Sequence, residues 1–147
     1  MSLIKKIKKI INLPFKEKKL LTECIITLVK TSLLIEFFPL KWIKRELGAP
    51  VTNANIDNNY SYDEIIVKQI IKNIYRASKL IPWKIKCYPQ ALTGKILLKK
   101  NKINSYLYLG LNKDNYSLHA HAWLKVGNRI IIGNNNLEQF KIINIFR

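Results

Sequence analysis

Cys87 lies in the run Pro82-Trp83-Lys84-Ile85-Lys86-Cys87-Tyr88-Pro89-Gln90-Ala91-Leu92, and His119-Ala120-His121-Ala122-Trp123 follows about thirty residues later. A thiol is mostly protonated at neutral pH, so a nucleophilic cysteine needs its thiolate stabilised. The converging N–H groups and positive dipole end of a helix N-terminus do this, and a neighbouring imidazolium adds to it. Pro89 suits the first turn of a helix opening near Cys87, because its missing N–H costs nothing there. A histidine on a facing strand can take the thiol proton and later return it to a leaving amine. The same helix end can offer backbone N–H groups to an oxyanion. No other pair in the chain offers activated-nucleophile chemistry. His119 and His121 are two positions apart on a strand and share a face, so spacing alone leaves both open.

A third group normally orients the imidazole and fixes its tautomer. Downstream of His121 there is no aspartate, and Glu138 is the only carboxylate. Asn134, Asn135 and Asn136 fall where a partner strand would end, and an asparagine can orient a histidine; Asp114 is a weaker candidate. Cys24 sits among Ile and Leu in mid-helix and reads as a small buried hydrophobe. Two Cys and two His make a nominal zinc set, but no Cys-x-x-Cys spacing exists, so neither metal nor cofactor is expected.

The elements that must position these residues follow from periodicity. Residues Met1 to Asn12 put Leu3, Ile4, Ile7, Ile10 and Ile11 on one helical face and lysines around the other, which suits a membrane surface, a partner or the chain's own domain. Leu20 to Phe38 reads as a largely buried helix, continued from Pro39 to a C-cap at Gly48. A polar, Asn-rich connection over Pro50 to Tyr60 leads to Ser61-Tyr62-Asp63-Glu64, a capping-box pattern with Ser61 as the cap. Ile66, Ile70, Ile74 and Tyr75 mark the inward stripe of the helix behind it. The Cys87 helix runs on to Lys-Lys-Asn. From Asn104 the period becomes two: a strand over Tyr106 to Leu111, a second over Leu118 to Val126, a Gly127-Asn128 hairpin turn into Arg129 to Ile132, and a last strand over Phe140 to Phe146. The expected fold is α+β, with N-terminal helices and then a nucleophile-bearing helix packed on an antiparallel sheet. One domain over 1–147 is expected, with a helical region at 1–48 and a catalytic core at 61–147.

The chain has 147 residues, nearly half of them hydrophobic, which excludes global disorder. Its 26 Lys+Arg against 9 Asp+Glu give +17, a balance suited to an anionic partner. The lysines are scattered, however, and accompany a general richness in Ile and Asn. Leu20 to Leu40 carries Glu23, Lys30 and Glu36, which argues against a membrane span. With no secretory signal pattern, a reducing cytosol is expected and a Cys24–Cys87 disulfide is not.

At these residues the chain resembles the bacterial transglutaminase-like cysteine proteases that mature lasso peptides. Leu80-Ile81-Pro82-Trp83 through Cys87-Tyr88-Pro89-Gln90-Ala91-Leu92 is similar to that family's Pro-Trp…Cys-Leu-x-x-Ala-Leu block. Tyr106-Leu107-Tyr108-Leu109-Gly110-Leu111 is similar to its Leu-x-Leu-Gly-Val strand, and Ala120-His121-Ala122-Trp123-Leu124-Lys125-Val126 to its Ala-His-Ala-Trp-Val-Glu strand. The resemblance runs from about Leu20 to the C-terminus. It implies Cys87 as nucleophile and His121, not His119, as base. The family's usual aspartate would fall near Gly133 or Asn134 and is missing, which leaves Asn134 as the candidate third member. Trp83, Gln90 and Trp123 are the candidate substrate contacts.

The resemblance also implies a substrate, a ribosomally made precursor peptide whose leader is cut away before a separate ATP-dependent macrolactam synthetase closes a ring. A separate leader-recognition protein is the expected partner, with the N-terminal basic helix as a docking surface or peripheral membrane contact. The alternative is a catalytically impaired transglutaminase-like subunit that binds peptide, motivated by the missing acid. A basic module for nucleic acid or membrane is the third reading, and it leaves the Cys/His register as coincidence.

Overall fold

The computed structural model describes residues 12–52, 56, 61–113 and 117–147. The amphipathic N-terminal stretch and Asp114 lie outside the described residues.

Helix α1 (Phe15–Phe37) starts directly after Pro14, earlier than the apolar run alone indicates. Leu21, Cys24, Leu28 and Thr31 recur at helical spacing and form its buried stripe. Burying each such leucine contributes about 2 kcal/mol. The chain then turns through Phe38 and Pro39 into the short α2 (Leu40–Leu47). Gly48 ends α2 with φ +84°, and a Cβ built there would lie 2.0 Å from the Arg147 carbonyl oxygen. Glycine is required on both counts. Helix α3 (Glu64–Leu80) is capped by Asp63, not by Ser61 as the capping-box pattern suggested. Asp63 Oδ1 accepts from the N–H groups of Ile65 (2.8 Å) and Ile66 (3.2 Å), and a carboxylate there also meets the helix dipole favourably. The inward stripe of α3 is Val67, Ile70, Asn73, Ile74 and Ala77; Tyr75 points outward.

Helix α4 (Cys87–Lys100) is the centre of the molecule. Ala91, Leu92, Leu97 and Leu98 are all buried, and α1, α3 and the sheet pack around it. The sheet is antiparallel, built from β1 (Tyr106–Lys113), β2 (Leu118–Val126), β3 (Arg129–Ile132) and β4 (Lys141–Phe146) in the order β3-β2-β1-β4. A short 3₁₀ turn (Leu137–Gln139) joins β3 to β4. This is the α+β architecture the pattern of elements predicts. Beyond β4 the chain around Pro50 adds a bridge to Phe146, with Val51 N–H donating to the Ile145 carbonyl at 2.9 Å.

The two faces of the sheet differ. Leu107, Ala122, Leu124, Val126 and Ile132 join the main core under α4. Tyr106, Tyr108, Trp123 and Ile145 form a second cluster on the opposite face, with Leu137 and Phe140 against it. Gly94 lets α4 come close, since a Cβ there would lie 2.7 Å from both Ile132 Cδ1 and Leu124 Cδ2.

Lys95, on α4, is only 4% exposed. Its ammonium donates to the carbonyls of Ser105 and Phe146, each at 3.3 Å. Burial, with Lys99 and Arg147 nearby, lowers its pKa to about 8. Below about pH 8 the folded and unfolded states are both charged and the full burial cost is present; that cost is relieved as pH rises toward the ordinary value of 10.5. Relative to Lys95→Met, the wild-type protein should therefore gain stability between about pH 8 and 10.5, by at most about 3 kcal/mol. Urea unfolding of both proteins across that range tests this, and parallel curves would contradict it.

Candidate active site

Cys87 is the first residue of α4, preceded by Lys86 in extended conformation with no side-chain cap. The N–H groups of this first turn are unpaired within the helix, and Pro89 has none to offer. Those of Cys87 and Tyr88 thus remain available as donors; the Gln90 N–H reaches the Lys86 carbonyl at 3.5 Å. The Cys87 side chain lines an open groove of about 600 Å³ between the end of α1 and the start of α4. Leu33, Glu36 and Phe37 form one wall, Trp83, Lys84 and Lys86 another, and Ala120 of β2 borders the floor.

Thr31 holds the two helices in this relation. Its hydroxyl lies 2.9 Å from the Thr93 hydroxyl and 3.3 Å from the Pro89 carbonyl, all buried. The hydroxyls of Ser32 and Tyr88 are buried beside the groove with no hydrogen-bond partner. Burial pushes the Tyr88 phenol up to about 12, so it stays protonated. Unpaired buried hydroxyls are costly and are concentrated here, next to the thiol.

His121 projects from the other face of β2. Alternation along the strand sends Ala120, Ala122 and Leu124 toward α4, and His119, His121 and Trp123 away from it. Its Nε2 lies 2.8 Å from the Gly133 carbonyl oxygen. A carbonyl only accepts, so Nε2 carries the proton and, in the neutral ring, Nδ1 keeps the lone pair a general base needs. The ring is stacked on Trp123 at 5.9 Å and tilted against Phe140 at 5.0 Å, centroid to centroid. It borders a second hollow with Asn112, His119, Asn135, Asn136 and Gln139. Ala120 borders this hollow as well as the Cys87 groove. Cys87 and His121 therefore lie on opposite sides of β2, each beside a hollow that Ala120 borders, and no hydrogen bond joins them.

The other sequence candidates are placed as follows. Asn134 is exposed and makes no bond to His121; the orienting group is the main-chain carbonyl of Gly133, one position earlier, where φ is +80°. Trp83 lies on the groove, 45% exposed. Gln90 lies off it, its amide donating to the Ile85 carbonyl at 3.4 Å and steadying the loop that leads to the thiol. Trp123 borders neither hollow; it is 5% exposed and sandwiched between His121 and Tyr108. His119 is exposed, 2.7 Å from the Ser117 hydroxyl. Among the described residues no group of three or more His, Cys, Asp or Glu could hold a metal ion, and no helix is long and apolar enough to cross a membrane. Sequence reasoning missed the Gly133 carbonyl, which has no side-chain signature, and the Leu33–Phe37 wall, whose apolar residues read as core.

A family model described as the transglutaminase-like superfamily matches residues 29–144. The chain belongs to that superfamily. No curated protein and no solved structure matches it. The matched transglutaminase-like region begins inside α1, ends inside β4, and contains both Cys87 and His121.

The two thiols differ in environment. Cys24 is fully buried, and desolvation with Glu23 nearby pushes it up to about 12, whereas Cys87 opens onto the groove. In the folded protein at pH 7.5, iodoacetamide should alkylate Cys87 and spare Cys24 until denaturant is added. Peptide mapping by mass spectrometry reads the order, and prior labelling of Cys24 would contradict this structure.

Proposed function

We propose that this transglutaminase-like chain is a cysteine peptidase that removes the leader from a ribosomally made precursor of the lasso-peptide kind. The observation that carries the reading is Cys87 at the N-terminus of the central helix, facing an open, peptide-sized groove. The superfamily includes cysteine peptidases of this chemistry, and the motif resemblance around Cys87 and His121 supports the finer assignment.

In this mechanism the Cys87 thiolate, stabilised by the α4 N-terminus, attacks the scissile carbonyl. The N–H groups of Cys87 and Tyr88 receive the developing oxyanion. His121 holds the thiol proton on Nδ1 and passes it to the departing amine, leaving a thioester on Cys87. Water, deprotonated by His121, then adds to the thioester; collapse releases the acid and restores the thiol. The Gly133 carbonyl keeps the imidazole in the tautomer this sequence requires, and Trp123 and Phe140 hold the ring in place. A separate leader-recognition protein and an ATP-dependent macrolactam synthetase are the partners this role calls for. No cofactor enters.

A second reading, a peptide-binding subunit without catalysis, is favoured by the opposite-face placement of Cys87 and His121 and by the missing acid. Catalytic hydrogen bonds commonly tighten only with substrate bound, so the separation does not by itself decide against the first.

The discriminating assay incubates the purified protein with a lasso-type precursor peptide and a separate leader-binding protein, read by mass spectrometry. Cys87→Ala should abolish cleavage while the far-UV spectrum and melting temperature are kept; unchanged cleavage would sink the peptidase reading. Cys24→Ala should lower stability by about 1 kcal/mol and leave the rate alone. His121→Ala should lower the rate by about 10²–10⁴-fold, whereas Asn134→Ala should change it by less than about threefold, since a main-chain carbonyl does the orienting.

A further inference from the structure

Strand β2 has one side only partly covered. β1 pairs with it from Leu118 to Lys125 without a register shift, whereas β3 meets only Leu124, Lys125 and Val126. Over 118–122 the outer edge has no strand against it among the described residues. A Cβ built on Gly133 would lie 2.6 Å from the Ala122 carbonyl oxygen, so that carbonyl points to the outer, β3 side. In an antiparallel strand the N–H and C=O of one residue point the same way, and residues two apart agree. Ala120 therefore directs both of its main-chain groups at this edge, which no described strand covers. Exposed edges are usually blunted by lysine, proline or a bulge. Leu118-His119-Ala120-His121-Ala122 has none of these.

We propose that this edge, centred on Ala120, docks the backbone of an extended peptide substrate, which adds to the sheet as a further strand and lays an apolar side chain in the Cys87 groove. The cleavage of that peptide rests on the peptidase reading; its docking does not. The groove indicates the occupant. Phe37 is 73% exposed and Leu33 44% on one wall, and Trp83 is 45% exposed on the other, an apolar lining open to solvent. Lys84 and Lys86 line the groove, and Glu36, its one carboxylate among the described residues, lies 4.0 Å from the Lys86 ammonium; the surplus charge is positive, so apolar residues next to acidic ones are the complementary ligand. A net charge of +17 opposes a second copy of this chain on the same edge. Ala120 borders both hollows. A peptide along the edge passes between Cys87 on one face and His121 on the other.

The probe is the fluorescein-labelled peptide Glu-Asp-Leu-Phe-Thr-Ile-Gly-Ser, titrated at low salt into the Cys87→Ala protein, together with its series of single N-methylated forms. Edge pairing uses every second peptide amide. Methylation should thus weaken binding by about tenfold at alternating positions and leave the intervening positions within about twofold. Amide exchange at Ala120 should slow by at least about tenfold at saturation. Even tolerance of methylation with Ala120 exchange unchanged would overturn the proposal, as would no saturable binding up to about 1 mM. A concentration-dependent dimer that protects Ala120 without peptide, seen by sedimentation, would overturn it too. Wild-type protein that shows the alternating pattern but never cleaves a peptide would count against the peptidase reading alone and leave the docking site standing.

Discussion

The close seating of α4 on β2 is the constraint on which the rest of the site depends. At Gly94 the helix lies near enough that a single added carbon would meet Leu124 and Ile132. Toward the N-terminal end of the helix, β2 presents Ala120 and Ala122 on the same face as Leu124. Alternation then forces His121 and Trp123 to the opposite face. A one-residue slip would bring the bulky set under the helix and expose the alanines, so the register is strongly specified. The groove beside Cys87 exists because what faces it from β2 is an alanine.

A histidine displaced from the helix side needs its own means of orientation. In this chain the means are main-chain and aromatic: the Gly133 carbonyl fixes Nε2 as donor, and Trp123 and Phe140 bracket the ring. A carbonyl dipole sets a tautomer as well as a carboxylate does, but it offers less to an imidazolium once one forms, because hydrogen bonds to an ionised partner are about twice as strong. In the peptidase reading, more of the stabilisation of negative charge at Cys87 would then fall on the α4 N-terminus. That fits a helix whose first turn carries no acidic side chain.

Much of this was legible in the sequence, for reasons that can be named residue by residue. The change of period near Asn104 marked the passage from helices to sheet, and Pro89 marked the start of α4, because each reflects a local backbone rule. Cys24 could be set aside from its apolar neighbours alone. The capping pattern misled at Ser61, since Asp63 competes two positions later and a carboxylate also answers the helix dipole. Tyr75 was misjudged because Val67, Asn73 and Ala77, smaller or more polar, share the inward face with Ile70 and Ile74. Spacing put His121 on one face with His119, but nothing local says which face α4 will cover. The orienting group was out of reach in principle, because every residue has a carbonyl and only the fold decides which one meets the ring.

The division of the site across β2 bears on how the chain could act. Two reactive groups held on opposite faces of one strand can share a substrate only around its edge, and β3 is too short to close that edge at Ala120. A longer β3 would have finished the sheet and sealed His121 from the groove. The short one leaves a place where a peptide backbone can be paired, with the thiol approached from one side and the imidazole from the other. On this view the substrate supplies the strand that the sheet lacks. The same geometry accounts for the absence of a direct Cys87–His121 bond without requiring that the pair be idle: a pair joined through the bound peptide would stay separated until one arrives.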